Sequence, residues 1–214
     1  MQKHIILAGI GILVLLILVV ANTRDTGIHM LSGGPQGGTF IKVTQGIVEL
    51  MAEESPEFKL KTINSAGSVD NLKTVDSGKA AMALVYAGDS YLGRIGELEN
   101  ETSRFTNVKA LGRIYGSTAH LIVRNESIIQ SPHDLASRRV AIGSSGSGAA
   151  HSAERYFRAI GIWDRIIPLY IGYSLGMKEL SAGHAEAVWQ LVGAPSSSIA
   201  DLITKQPLRL INLT

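Results

Sequence analysis

Two glycine-rich turns constrain this chain more than any other feature, because each lies between an apolar, strand-like run and an amphipathic run of helical period. The first is Ser32-Gly33-Gly34-Pro35-Gln36-Gly37-Gly38-Thr39. It follows the apolar residues 28–31 and precedes a stretch with Phe40, Val43, Ile47 and Leu50 at steps of three and four. The second is Gly143-Ser144-Ser145-Gly146-Ser147-Gly148. It follows residues 139–143 and opens a helix with Ala150, Ala153, Phe157 and Ile160 on one face, stopped at Gly161. A strand ending in such a turn aims several backbone N–H groups and a helix N-terminus at one place, which suits a carboxylate or a phosphate. Two of them predict a jaw on each of two lobes.

The rest of the chain repeats the same grammar, short apolar runs alternating with helix-period stretches, as in sheets covered by helices. Strands are expected over 28–31, 58–63, 81–86, 108–114 and 119–123, with an exposed polar loop over 97–106. Ser68 is placed to cap a helix carrying Val69, Leu72 and Val75, which Gly78 ends. Beyond Arg124 the pattern restarts. Ser131-Pro132-His133-Asp134 is a helix start with a serine cap, proline in the first turn and an acid behind it. Strands follow over 139–143, 166–171, 187–192 and from 208, with helices over 174–182 and after Pro195. The expected organisation is a first lobe over 27–124, a second over 125–214, and a hinge near Arg124 and Asn125.

Residues 5–21 are an unbroken apolar run behind Lys3 and His4, broken by Asn22-Thr23-Arg24-Asp25. This segment, 1–22, fits a secretory signal with Val19-Val20-Ala21 as its cleavage site, or an uncleaved N-terminal anchor. Either puts the globular part in the periplasm or on the outer face of the membrane. The chain has no cysteine, which excludes disulfides, thiol catalysis and thiolate metal sites. A net charge of +2 with interspersed signs carries no nucleic-acid footprint.

Motifs for chemistry are weak. No lysine follows Gly37-Gly38 as a phosphate-binding loop requires, and neither turn has the dinucleotide G-x-G-x-x-G spacing. His151 and Glu154 share a helix face without a second histidine at metal-binding offset, so no metal or cofactor is expected. Ser144, Ser145 and Ser147 do not form a G-x-S-x-G elbow. Trp163 and Trp189 read as packing residues, and Arg138 and Arg139 as solvated surface.

The ordered set Gly33 to Phe40, Ser65-Ala66-Gly67-Ser68-Val69-Asp70-Asn71-Leu72 with Ser77-Gly78, Val140-Ala141-Ile142-Gly143 running into Gly146-Ser147-Gly148, and Val192-Gly193-Ala194-Pro195 resembles the TAXI family of extracytoplasmic solute receptors, which serve TRAP transporters. The resemblance runs from about Gly27 to Thr214. It implies an α/β, two-lobed type II periplasmic-binding-protein-like fold that holds a small organic anion, such as glutamate, a dicarboxylate or a keto acid, and delivers it to a TRAP-type membrane permease. Carried onto this chain, the first-lobe contacts are Gly37, Gly38, Thr39 and Phe40, with Ser65, Gly67 and Ser68 beside them. The second lobe adds Ser144, Ser147 and Gly148. Tyr86 either lines the cleft or packs beside it.

The chain departs from the family's pattern at Ala81, at Tyr115-Gly116-Ser117-Thr118, and past Thr214, where the family continues with a return crossing to the first lobe. The resemblance therefore implies a C-terminally truncated fold. A receptor without chemistry of its own is the leading expectation. The alternatives are a membrane-tethered sensor or receptor fragment, and an enzyme on the same fold, which would show a catalytic acid, base or lysine in the cleft.

Overall fold

A computed structural model of the protein describes residues 27–99 and 101–214. The leader expected over 1–22 lies outside the described residues. The first lobe is a parallel three-stranded sheet of order β2-β1-β3, built from β1 (His29–Ser32), β2 (Leu60–Ile63) and β3 (Met82–Ala83). Its helices are α1 (Thr39–Glu54), α2 (Ser68–Asp76) and α3 (Ala87–Ile95). Parallel neighbours need a crossover on one face, and α1 and α2 supply it.

The second lobe is a mixed five-stranded sheet of order β6-β5-β7-β4-β8, from β4 (Thr118–Arg124), β5 (Arg139–Ala141), β6 (Ile167–Leu169), β7 (Ala187–Val192) and β8 (Leu208–Ile211). β4 runs antiparallel to both β7 and β8, and β5 runs parallel to β6 and β7. Alternation along β4 sends Leu121 and Val123 to one face and Ile122 to the other. On the first face they meet Phe157 and Ala153 of α4 (Gly148–Ala159), together with Trp189; on the second, Ile122 meets Met177 and Leu180 of α5 (Tyr173–Ala182) and Leu202 of α6 (Ser197–Ile203). Both faces are thus covered. That explains why Leu121, Ile122 and Val123 are all fully buried in succession.

Several sequence expectations are corrected here. β4 is an interior strand of the second sheet, between β7 and β8, so the chain passes between lobes before Thr118, and Arg124 and Asn125 lie within the second lobe rather than at a hinge. Residues 108–114 form no strand: Leu111 and Ile114 are exposed and no described strand lies beside them to take up their backbone groups. The strand expected over 81–86 shrinks to Met82–Ala83, because α3 starts at Ala87. On α1 the buried residues are Phe40, Ile41 and Thr44, while Leu50 is exposed. The loop over 97–106 is not wholly exposed, since Leu98 and Phe105 join Val69 and Leu72 in the first lobe's small core. Among the described residues no helix is long and apolar enough to cross a membrane.

Candidate functional site

The first turn is held in place from below. Asn71, fully buried on α2, donates through Nδ2 to the carbonyls of Gly33 (2.5 Å) and Leu84 (2.6 Å) and accepts from Ser32 Oγ (2.6 Å), which ties all three elements around the turn together. Gly37 has φ +82°, and a Cβ there would fall 2.2 Å from Ser174 Oγ, so backbone conformation and close approach both demand glycine. The turn docks on the second lobe. Ser174 Oγ donates to Gln36 O (3.2 Å), Ser197 Oγ to Gly37 O (3.4 Å), and Thr39 Oγ1 to Gly193 O (3.2 Å).

Between the lobes lies a cavity of about 20 Å³ lined by both jaws, with room for about one water molecule. Its wall carries the residues that cap five helices: Gly38 for α1, Gly67 for α2, Tyr86 for α3, Ser147 for α4 and Gly172 for α5. These are all the described helices of nine or more residues. Only Ser147 spends its side chain on its own helix, its Oγ accepting from Ala150 N at 3.1 Å; the other four make no side-chain cap bond. Among the described residues, no side chain in the wall is charged. The positive potential there comes from N–H groups and helix dipoles, offset at α2 and α3 by the acids Asp70 and Asp89 in their first turns.

The rest of the wall is aromatic. Phe40 lies 4.9 Å from Tyr86 and 6.3 Å from Tyr115, centroid to centroid. Tyr86 Oη donates to Leu191 O across the lobes, and Tyr173 Oη donates to the same carbonyl at 3.0 Å. Tyr115 Oη is buried without a hydrogen-bond partner. Burial chiefly, and then the neighbouring Tyr173 phenol, pushes the pKa of Tyr86 and Tyr115 well up; Tyr173 itself rises to about 12 through burial. All three therefore stay neutral donors at physiological pH.

Of the residues singled out from the sequence, the fold brings Gly38, Thr39, Phe40, Gly67, Ser68, Tyr86, Ser144, Ser147 and Gly148 to this one cavity. Gly37 and Ser65 stand behind it: Gly37 packs on Ser174 and Ser198, and Ser65 Oγ donates to Gly33 O at 3.2 Å. Ser68 does not cap α2 through its side chain; Gly67 holds that position, and Ser68 Oγ accepts from Tyr86 N at 2.9 Å. Sequence reasoning missed Tyr115 and Tyr173. The Tyr-Gly-Ser turn was visible, but nothing local to a tyrosine marks which face of a lobe it will reach.

A second, larger cavity of about 1130 Å³ lies beside β3 and α3 and under the irregular residues 107–117. It borders Phe40, Tyr86 and Leu191 but none of the glycine-rich turns.

The sequence matches the NMT1-like family over residues 31–214, nearly all of the described chain. The chain belongs to the NMT1-like family. Its architecture is similar to that of the alkanesulfonate-binding protein SsuA from Xanthomonas axonopodis pv. citri bound to MOPS, at 16% identity and a TM-score of 0.57, covering 86% of this chain and 60% of that one. It is also similar to the cysteine-binding protein from Campylobacter jejuni (12% identity, TM-score 0.59, 90% and 73% covered) and to the GluR0 ligand-binding core in complex with L-glutamate (12%, 0.56, 89% and 81%). At such identities the likeness speaks for the fold. This NMT1-like chain has the two-lobed α/β fold of periplasmic solute-binding proteins, and it spans 60% of the length of the SsuA structure from Xanthomonas and 56% of that from Escherichia coli.

Proposed function

We propose that this NMT1-like protein is an extracytoplasmic solute receptor of the TAXI type, which captures a small organic anion between its lobes and hands it to a TRAP-type permease. The observation that carries the anion is the convergence of five helix N-termini on one cavity whose wall holds no charged side chain. Each N-terminus presents free N–H groups and about half a positive charge, so a carboxylate entering there gains charge-assisted bonds without a basic side chain. Ser144 and the neutral phenol of Tyr115 add hydroxyl donors, and the phenols of Tyr86 and Tyr173 can do so once they leave Leu191 O. The site assigned to the ligand comprises Gly38, Thr39, Phe40, Gly67, Ser68, Tyr86, Ser144, Ser147 and Gly148, with Tyr115 and Tyr173 joining them. No side chain in the wall is an acid–base pair or a nucleophile with a base, which supports binding rather than chemistry.

The TRAP branch rests on the ordered motifs from Gly33 to Pro195, and the extracytoplasmic location on the apolar leader and on the fold shared with a protein described as periplasmic. With the jaws as close as they are, an organic acid enters only when the lobes part or the Tyr86 and Tyr173 hydroxyls leave Leu191. The test is a thermal-shift screen of the purified chain against organic acids and amino acids. A ligand at about a hundred times its Kd adds about 2.7 kcal/mol of stability. Stabilisation by one class of anion, abolished by Ser144→Asp, is the expected result. A cooperative melt that no anion moves would overturn the receptor.

A further inference from the structure

Asp89 sits in the first turn of α3, a favourable place for an acid. Yet it is fully buried, and a buried carboxylate is costly unless a charge faces it. That charge comes from the other lobe. Arg155 of α4 donates through Nη2 to Asp89 Oδ1 at 3.0 Å and through Nη1 to Glu99 Oε2 at 2.9 Å, so one guanidinium spans two carboxylates of the first lobe. His151, one turn earlier on the same face of α4, is buried with Nδ1 3.7 Å from Glu99 Oε2. Two turns before Arg155 lies Gly148, the first residue of α4 and part of the cavity wall. A Cβ on Gly148 would fall 2.3 Å from Asp89 Oδ2 and 2.5 Å from Tyr86 Cδ2. The helix is therefore flush against the first lobe at its cavity end and tied to it by charge farther along.

We propose that Arg155 is a positioning residue of the cleft, and that its fork onto Asp89 and Glu99 is a latch that holds the lobes closed and sets the α4 N-terminus against the ligand site. The proposal rests on the reading that the lobes close on a ligand. The balance of the pair makes it a latch rather than a permanent bond. Asp89 Oδ2 has no hydrogen-bond partner when the lobes are shut. Opening returns that oxygen to water, which offsets part of what the loss of Arg155 costs, and Arg155 and Glu99, each about a third exposed, keep much of their hydration in either state.

The chain contains no cysteine, so Glu53→Cys on the first lobe and Lys205→Cys on the second, both exposed positions, give a unique pair for spin labels. Electron–electron resonance on the full chain, with no ligand added, reads the lobe-to-lobe distance. The expected result is one short distance in the parent pair, a longer and broader distribution with Arg155→Ala, and a smaller lengthening with Glu99→Gln. A melting temperature that falls while the distance stays unchanged would make Arg155 a structural bond only and overturn the proposal. Should Arg155→Ala not melt cooperatively, Asp89→Asn, nearly isosteric and uncharged, carries the same test with the same two outcomes. Because no ligand enters, the result is independent of the anion screen. A latch without any stabilising anion would sink the receptor and leave the latch, and the reverse would do the opposite.

Discussion

The two lobes of this NMT1-like protein are built to different standards. The second has five strands covered on both faces, and a core running from Leu121 and Val123 through Phe157 to Trp189 and Ile211. The first has three strands, one of only two residues, and a core of Val69, Leu72, Leu98 and Phe105. Its flank is open as well, with Leu111 85% exposed above the larger cavity. Stability is thus concentrated in one lobe, while both contribute N-termini to the site. The lesson is that the jaws need not be equally rigid, and that the docking of the first lobe on the second completes the cleft.

Phe157→Ala would damage that comparison most. The ring is fully buried between α4 and the sheet, and its removal should cost about 3–5 kcal/mol, read as a lower urea midpoint for the whole chain. Phe105→Ala makes a similar cavity in the weaker lobe; amide exchange should accelerate in β1 to β3 and stay slow in β4 and β7, and equal acceleration everywhere would show that the lobes unfold as one. Asn71→Ala removes the tie under the first turn, strands the Leu84 carbonyl and leaves Gly33 O with only the Ser65 hydroxyl, at about 2–3 kcal/mol by denaturant titration, with the loss confined to the first lobe. Gly148→Ala inserts a methyl where Asp89 and Tyr86 already sit; an overpacking cost of about 1–3 kcal/mol should appear as a wider lobe separation in small-angle scattering.

The smallest expected effect is that of Tyr173→Phe, about 1 kcal/mol, but it carries a pH signature. Burial raises the folded Tyr173 to about 12, against about 10 when unfolded. Below pH 10 both states keep the proton and the contribution is fully present. Between about 10 and 12 only the unfolded chain releases it, so stability falls as pH rises, by up to about 1.4 kcal/mol per pH unit. Melting curves across that window should flatten in the Phe variant.

Much of the second lobe could be read from residue order, because strands such as β7 are apolar runs bounded by Gly183 and Gly193, and helices stop at glycines such as Gly161 and Gly183, both with positive φ. The first lobe was harder. α3 went unseen because its buried face consists of Asp89 and Gly93, the latter so close to Phe105 that a Cβ would lie 2.5 Å from the ring. Hydrophobic periodicity cannot find a helix that buries a glycine and a charge. Residues 108–114 carry strand-like composition, but pairing is a property of neighbours, and none stands there. At the site, turn chemistry located the two glycine-rich turns whose Gly38 and Ser147 cap α1 and α4, since capping is local, but not the caps Gly67, Tyr86 and Gly172 of the other three helices. The tyrosines come from sequence positions 86, 115 and 173 and meet only through tertiary folding.

Five helix heads facing one small cavity also repel one another. Each carries a partial positive charge of about half a unit, which Asp70 and Asp89 offset at α2 and α3 and no acid in the first turn offsets at the other three. An anion between them is then a counter-ion that relieves internal strain, as well as a cargo. It follows that ordinary buffer ions compete for the same relief: phosphate or sulfate in the medium should raise the melting temperature and weaken the apparent affinity for any organic acid, whereas a bulky buffer anion kept out of the cleft should do neither.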